Sequence, residues 1–410
     1  MNADASVAAA PCADALTLVI PTFNRAQHLR RLLNHYHQVE LQTRFLILDS
    51  SLADTAAANA ALAASLGARF RHVVFPPSMP VATKLFEGTR LVDTPYCAFC
   101  ADDDLIFPEA LLRALDFLGR HSDFVCCDGI YLNFFPSNGE ISFQVEYGSR
   151  GIEAGHPAAR VFRLFQRYES MFYAVFRTPD LRDLFSCVKN IPTLHYQELF
   201  QAAGAVLRGK THRLPEFYAA RQHCDAAEPT RDKWQTFYWF ADDNVDFLTH
   251  YQAYRDELWR YYERVGAEPR MERPAFNTAM DMAHVTFFSA NCPPAYFHSR
   301  LQQHWPQDAF RDVKDLDSVY DDLRRERRLT WETILLGLLQ RFAHNVADKA
   351  APLAGRSLAR ESGRLAQEGL GWTCKLHPDL WWMASVPRFR SAFVEICQYL
   401  GETAKESGGA

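Results

Sequence analysis

Short apolar runs alternate with helical patterns over the first hundred residues. Four runs rich in apolar residues, each closed by polar residues or proline, predict strands buried on both faces. They lie at 16–20, 45–48, 70–75 and 96–100. Between them, apolar residues at helical spacing or alanine-rich segments predict helices at 26–38, 53–66 and 81–91. This alternation predicts a parallel α/β sheet with right-handed crossovers.

The pattern becomes mixed after residue 105. Helices are expected at 111–118, 157–168 and 195–207, strands at 124–127 and 129–135, and a turn at 136–140. After about residue 230 the patterns are long, helical and rich in Trp and Tyr, with few signs of strands. We therefore expect an α/β domain followed by a mainly helical extension.

These patterns divide the chain into four parts. Residues 1–14 are expected to be a flexible tail, 15–229 an α/β domain, 230–402 a helical domain, and 403–410 a second flexible tail. Three roles stay open for the helical domain: acceptor binding, homodimer formation and peripheral contact with a membrane. The basic run 324–328, followed by apolar residues, is the reason for considering a membrane surface.

Composition excludes several classes of protein. The chain has 410 residues, of which 48% are apolar and 23% charged, as in ordinary soluble globular proteins. The net charge of −5 gives no indication of nucleic-acid binding. No apolar run approaches the roughly 18 residues of a membrane-spanning helix, and the N-terminus lacks the pattern of a secretion signal. Cys97 and Cys100 are expected to be buried strand thiols, and the cytoplasm is the expected compartment, with the inner face of the membrane as an option.

Polar clusters follow each of the four predicted strands. Because ligands of parallel α/β sheets bind at the carboxyl ends of the strands, these clusters are expected to share one site. The clusters are Thr22 with Asn24 and Arg25, then Asp49-Ser50-Ser51, then Lys84, and finally Asp102-Asp103-Asp104.

The aspartate triplet is the most informative of these clusters. Three adjacent carboxylates directly after an apolar strand repel one another and are costly to desolvate without a cation. Asp102 and Asp104 share one side of an extended segment, so both can face a divalent ion. Carboxylate oxygens suit Mg²⁺ or Mn²⁺, which usually keep substrate phosphates among their ligands.

Three segments of the chain resemble the GT-A fold of family 2 glycosyltransferases. They are TLVIPTFNR, LILDSSLADT and ATKLFEGTRLVDTPYCAFCADDD, and the resemblance covers about residues 15–225. In that family an apolar strand precedes Pro-x-x-Asn-Arg, the second strand ends in an acidic residue, and the fourth ends in an Asp-x-Asp-like motif. Ser50 and Ser51 depart from the Asp or Asn, Gly and Ser that usually follow the acidic residue.

The resemblance implies roles for individual positions. Residues near the nucleotide would be Pro21, Thr22, Asn24, Arg25, Asp49, Lys84, Asp102, Asp103 and Arg221. Among them, Asp49 would bind the base and Asp102 would face the ribose or sugar. Asp104 would ligate the metal, with His223 completing its site. Glu198 would be the general base toward the acceptor, with Glu169 and Asp180 as weaker candidates.

The resemblance thus implies a metal-dependent, inverting glycosyltransferase. Its donor would be a nucleotide-sugar, with UDP favoured, and its acceptor a glycan, a glycolipid or a surface-polymer precursor. Two alternatives stay open: a nucleotidyltransferase that makes sugar nucleotides, and a non-catalytic glycan-binding protein. A nucleotidyltransferase should have an early glycine-rich phosphate loop, and residues 21–31 contain no glycine. The intact Asp102, Asp104 and Glu198 argue against the non-catalytic alternative.

Overall fold

A computed structural model describes residues 13–137, 139–191, 193–223, 247–265, 268–291, 373–376, 380 and 386–407. The strands are β1 Leu16–Thr22, β2 Arg44–Asp49, β3 Phe70–Val74, β4 Tyr96–Phe99, β5 Leu105–Ile106, β6 Phe124–Ser137, β7 Glu140–Val145, β8 Val175–Arg177, β9 Lys210–Gln222 and β10 Thr373–Leu376. The helices are α1 Ala26–Gln38, α2 Ala53–Leu66, α3 Val81–Arg90, α4 Pro108–Arg120, α5 Pro157–Gln166, α6 Thr178–Val188, α7 Leu194–Arg208, α8 Phe247–Val265, α9 Arg273–Asn291 and α10 Pro387–Ser407.

All ten strands belong to one mixed sheet. Its main order is β10-β7-β6-β8-β4-β1-β2-β3, and β9 pairs with β6 and with the short β5. The predicted parallel arrangement is confirmed for β1 to β4. Beyond β4 the sheet also contains antiparallel pairs, because β8 runs against both β4 and β6.

The sheet separates two apolar cores. Alternate strand residues face opposite sides, so Val19 and Phe99 join one core while Leu18 and Ile20 join the other. Residues of α5 to α9 belong to the first core, and residues of α1, α4 and α10 to the second. This is the three-layer arrangement expected of an α/β domain.

The described C-terminal segments pack on the same sheet. Tyr254 and Phe276, from α8 and α9, are buried in the core that contains α5 and α7. β10 pairs in parallel with β7, and α10 contributes Phe393 and Tyr399 to the opposite core. The mainly helical character predicted for this half is confirmed for these segments. The predicted boundary at 229–230 and the basic run 324–328 lie outside the described residues, and the division into domains stays a prediction.

The sequence predicts two strands separated by Asp128, whereas the structure has one continuous strand there, β6. Asp128 interrupts an apolar run, which is why two strands were expected on either side of it. In the fold the guanidinium of Arg213 makes two hydrogen bonds to the Asp128 carboxylate, at 2.9 and 3.0 Å. This pairing allows a charged residue to stay inside a buried strand.

Two further sequence expectations can be compared with the structure. The thiols of Cys97 and Cys100 are free and buried, as predicted. Among the described helices, none combines the length and the apolar composition needed to cross a membrane.

A buried histidine joins α8 to α9. Nδ1 of His284 lies 2.7 Å from the carbonyl oxygen of Met280 and donates to it, so Nε2 accepts from the Tyr254 hydroxyl at 3.0 Å. Burial lowers the pKa of His284 from 6.5 to about 3. The folded state therefore keeps this imidazole neutral at pH values where the unfolded chain takes up a proton.

Acid is accordingly expected to weaken the fold through His284. Its stabilising contribution is complete above pH 6.5 and is lost as pH falls toward 3. The loss amounts to about 1.4 kcal/mol per pH unit. Urea unfolding at pH 7.5, 6 and 5 should therefore show a shallower decline for His284→Gln than for the wild type. The exposed His121→Gln is the matched control, and equal slopes for His284→Gln and the wild type would contradict the assignment.

Candidate active site

The carboxyl ends of β1, β2 and β3 lie side by side. In the sheet register Thr22 lies opposite Asp49, and Asp49 lies opposite Val74. The Thr22 hydroxyl donates to Asp102 Oδ2 at 2.6 Å, which connects the end of β1 with the loop after β4. The polar clusters predicted at separate strand ends therefore share one edge of the sheet.

Arg25 connects the β1 loop to the aspartate triplet. Its guanidinium lies 3.2 Å from Asp102 Oδ1 and hydrogen-bonds to the Asp103 carboxylate. Burial raises the pKa of Asp102 to about 6, although Arg25 and the Thr22 hydroxyl act in the opposite direction. The side chain of Arg25 is 35% exposed, so its charge is accessible to a ligand.

Asn24 holds the first two loops together. It adopts a positive φ of 55°, a conformation that Asn tolerates better than most residues. Its backbone N–H donates to Ser51 Oγ at 2.8 Å, and its Oδ1 accepts from the backbone N–H of Leu52 at 2.9 Å. Pro21 precedes this loop within β1, opposite Leu48. Asn24 and Pro21 thus lie at the predicted edge of the sheet, where the hydrogen bonds of Asn24 hold the two loops together.

Asp49 is completely buried, and its carboxylate is held within the protein. Oδ1 accepts from the backbone N–H of Ser51 at 2.8 Å, while Oδ2 accepts from Asn59 at 2.8 Å and lies 2.9 Å from His72 Nε2. Burial alone would raise the pKa of Asp49, but these hydrogen bonds outweigh it and hold the pKa well below its usual range. The implied contact with a nucleotide base stays a prediction.

Lys84 reaches the ends of β1 and β2 from α3. Its Nζ donates to the Thr22 carbonyl oxygen at 3.0 Å and to Ser50 Oγ at 2.8 Å. Gly88, one turn later, allows α3 to approach β2 closely, since a Cβ there would lie 2.3 Å from Leu48 Cδ1. Burial lowers the pKa of Lys84, and the carboxylates of Asp49 and Asp102 act in the opposite direction.

Asp104 is buried, and both of its carboxylate oxygens accept hydrogen bonds from other segments. Its Oδ1 accepts from the backbone N–H of Gln222 at 2.8 Å, and its Oδ2 accepts from the hydroxyl of Tyr173. Burial, together with the neighbouring Asp103 carboxylate, raises the pKa of Asp104 to about 7, and Arg221 acts against this shift. Such a carboxylate is costly to ionise unless a positive charge is close to it.

Arg221 lies near both Asp104 and Glu198, the predicted base. Its Nη1 is 2.9 Å from Glu146 Oε2, and its charge acts on both Asp104 and Glu198. Glu198, in the second turn of α7, accepts from the Tyr168 hydroxyl at 3.3 Å. Burial raises the pKa of Glu198, although Arg221 and Tyr168 lower it. Three residues predicted from distant segments are thus brought into one neighbourhood.

The two weaker base candidates have other partners. The Glu169 carboxylate is bound by the Arg213 guanidinium and, at 3.2 Å, by Arg167. Asp180 lies 2.6 Å from Arg208. Arg208 is ten residues beyond Glu198 on α7, a distance of about 15 Å along the helix axis. Of the three candidate bases, Glu198 is therefore the one that shares a charged neighbour, Arg221, with the triplet.

His223 follows β9 directly, one residue after the amide that holds Asp104. Its backbone N–H donates to the Phe134 carbonyl oxygen at 2.9 Å, and its ring stacks on Phe135 with the centroids 5.1 Å apart. Within the described ranges, no three His, Cys, Asp or Glu side chains are grouped as a preformed cation site. The metal roles of Asp104 and His223 stay predictions.

The structure adds side chains that the sequence reasoning missed. Tyr173 contacts Asp104, Glu146 pairs with Arg221, and Tyr168 contacts Glu198. None follows a strand of the parallel half, so no sequence signal marked them. Phe23, between Thr22 and Asn24, is 49% exposed. The position of Phe23 among polar residues could have been noticed in the sequence, because an aromatic ring at such a site can stack on a nucleotide base.

A mixed α/β sheet with carboxylates at the carboxyl ends of its strands is the arrangement of an enzyme domain that binds its ligand at that edge. Residues 17–153 match the sequence model of Glycosyl transferase family 2, so the chain carries a domain of this family. The resemblance inferred from the motifs, and with it the class of enzyme, is confirmed. No curated protein matches the chain.

Solved structures of glycosyltransferases are among those to which the chain is similar. Residues 1–349 of TarS from S. aureus give a TM-score of 0.38 at 13% identity, covering 71% of this chain and 93% of that one. The TarS complex with UDP-GlcNAc gives 0.39 at 15%, covering 76% and 91%. The mannosyltransferase PcManGT from Pyrobaculum calidifontis, in complex with GDP-Man and Mn²⁺, gives 0.38 at 12%, covering 77% and 80%. These likenesses are too low to assign a donor or a metal to this chain.

Proposed function

We propose that the protein is a metal-dependent, inverting glycosyltransferase. It transfers a sugar from a nucleotide-sugar, with a UDP-sugar favoured, to a hydroxyl group of a glycan, glycolipid or surface-polymer acceptor. The observation that supports this most strongly is the position of Arg221, whose charge acts on both Asp104 and Glu198. One cation thus acts both on a carboxylate of the triplet and on the candidate base.

The donor half of the site is formed by the first two loops and the triplet. Arg25 is accessible and already binds carboxylates, so it has the charge and geometry to bind a phosphate instead. The exposed ring of Phe23 provides a face on which a base can stack. Lys84 fixes the ends of β1 and β2 beneath this surface.

The triplet has the chemistry of a site for Mn²⁺ or Mg²⁺. Asp102 and Asp104 offer oxygen donors, and their raised pKa values reflect ionised forms that a divalent cation would stabilise. Asp104 would hold the ion, with His223 as a second ligand. A bound ion would supply Lewis-acid stabilisation of the leaving diphosphate.

The acceptor half of the site is formed by Glu198, Tyr168 and Arg221. Glu198 takes the proton from the acceptor hydroxyl as its oxygen forms a bond to the anomeric carbon. The bond from that carbon to the donor phosphate oxygen breaks, and the diphosphate leaves with the electron pair near Arg25 and Arg221. A single displacement inverts the anomeric configuration, since no carboxylate forms a covalent intermediate.

The location of the enzyme and its partners belong to the same proposal. An acceptor carried by a lipid or a surface polymer would place the protein in the cytoplasm, at the inner face of the membrane. The helical C-terminal half would then contact the acceptor, the membrane surface or a second copy of the chain. We propose no nucleic-acid partner.

A thermal-shift panel tests the donor and the metal together. UDP, GDP, CMP and dTDP are each added with Mn²⁺ and, separately, with EDTA. A ligand at 100 times its dissociation constant stabilises a protein by about 2.7 kcal/mol, which is readily measured. Stabilisation by UDP that disappears in EDTA is the expected result. Stabilisation that persists in EDTA would remove the metal from the proposal, and no stabilisation by any nucleotide would contradict the donor site.

A further inference from the structure

The helix α10 lies behind the aspartate triplet. Its Tyr399 is completely buried, although it is 296 positions away from Asp103 in the sequence. The Tyr399 hydroxyl is 3.2 Å from the Asp103 carbonyl oxygen and 3.5 Å from that of Asp104. A segment far along the chain therefore contacts the backbone of the triplet.

Arg31 of α1 binds the same carbonyl group. Its Nη2 is 3.2 Å from the Asp103 carbonyl oxygen and 2.5 Å from Gln222 Oε1. Its guanidinium lies 4.2 Å from the centre of the Tyr399 ring, which is within the range of a cation–π contact. Arg31 and Tyr399 thus form one unit with two donors directed at one peptide group.

The same unit extends to the Asp104 side chain. Gln222 accepts from Arg31 through its side chain, and its backbone N–H donates to Asp104 Oδ1. The orientation of the triplet is therefore fixed in two ways, through the carbonyl of Asp103 and through the carboxylate of Asp104. Substrate and metal sites work best when such supporting contacts hold the binding groups in place before the ligand arrives.

We propose that Tyr399 and Arg31 are positioning residues that hold the aspartate triplet in the geometry required for donor and metal binding. This inference rests on the proposed function of the triplet. It gives α10 a role beyond completing the core: the enzyme needs this helix in place to bind its donor with full affinity.

The test removes the hydroxyl of Tyr399 and keeps its ring. Tyr399→Phe is expected to weaken Mn²⁺-dependent binding of UDP by about three- to tenfold, the loss associated with one hydrogen bond. Isothermal titration with UDP at saturating Mn²⁺, and titration of Mn²⁺ at saturating UDP, measure both affinities. The melting temperature without ligand is recorded in parallel, and it should fall by no more than a few degrees, because the ring still fills the core. Arg31→Lys, which keeps the charge but loses the planar fork, should weaken the same two affinities.

Glu395→Gln provides the matched control. Glu395 also joins α10 to α1, since its Oε1 lies 3.0 Å from His35 Nε2, and this hydrogen bond does not involve the triplet. The Glu395→Gln substitution is expected to leave both the UDP and the Mn²⁺ affinity unchanged. Equal weakening by Glu395→Gln would show that general docking of α10 is responsible and would overturn the inference. Unchanged affinities in both Tyr399→Phe and Arg31→Lys would overturn it as well. A wild-type protein that binds no UDP or GDP would refute the proposed function itself, and this inference with it.

Discussion

Replacing Glu198 with glutamine is expected to lower kcat for sugar transfer by about 10²- to 10⁴-fold, the usual contribution of a general base. The donor affinity should stay unchanged, because the hydrogen-bond partner of Glu198 is Tyr168 and not a residue of the triplet. Glutamine keeps the shape and still accepts from the Tyr168 hydroxyl. Initial rates with saturating donor, combined with titration of the nucleotide, separate the two effects.

The pH profile identifies the base independently of the size of this loss. Burial raises the pKa of Glu198, and a base acts only when it is deprotonated. The activity of the wild type should therefore fall as pH drops through this raised pKa. Glu198→Gln should lose that limb of the profile while keeping the residual rate.

Two variants serve as controls for Glu198→Gln. Asp180→Asn neutralises another carboxylate, which is partly buried and paired with Arg208 away from the triplet, so its kcat should stay near that of the wild type. Glu146→Gln removes the partner of Arg221 and is expected to have a smaller effect than Glu198→Gln, because Glu146 is held in an ion pair at 2.9 Å. If Glu146→Gln caused the larger loss and Glu198→Gln none, Glu146 would be the base.

The parallel half of the fold could be predicted because its signals are local. Helices α1 and α2 begin and end at the predicted residues, since apolar spacing and polar boundaries coincide there. Thr22, Asp49 and Asp102 meet because parallel strands end at a common edge, a rule that needs no knowledge of side-chain contacts. The fold class and the polar edge of the sheet thus follow from patterns within short segments.

The rest of the site depends on contacts between distant segments. Tyr173 reaches Asp104 across 69 positions, and Tyr399 reaches Asp103 across 296, and neither tyrosine lies in a motif. The strand β8 has only three residues, too few for a period to be recognised. Asp128 breaks the apolar pattern of β6 because its compensating charge, Arg213, lies 85 positions later. Pairings of this kind become visible only in the folded protein.

Replacing Asp104 with asparagine is expected to abolish the Mn²⁺-dependent stabilisation by UDP and, with it, sugar transfer. Asparagine still accepts from the Gln222 amide, but it carries no charge to hold a divalent ion. The roughly 2.7 kcal/mol of stabilisation expected at 100 times the dissociation constant should therefore disappear. Differential scanning fluorimetry with UDP and Mn²⁺, together with a transfer assay, measures both losses.

The same substitution should not weaken the ligand-free fold. The pKa of Asp104 is raised to about 7 in the folded protein, above the ordinary value of 3.8, so the unfolded chain releases this proton at lower pH than the folded one. The carboxylate therefore costs stability as pH rises from about 4 to about 7, and it costs most above that range. At pH 8, Asp104→Asn should thus melt at the same temperature as the wild type or higher. Asp116→Asn is the control: Asp116 lies on α4, paired with Arg120, and this variant should match the wild type in every assay. Retained Mn²⁺ stimulation in Asp104→Asn would place the metal elsewhere. A collapse of the ligand-free fold would show instead that the negative charge of Asp104 is needed to hold Tyr173 and the end of β9 together.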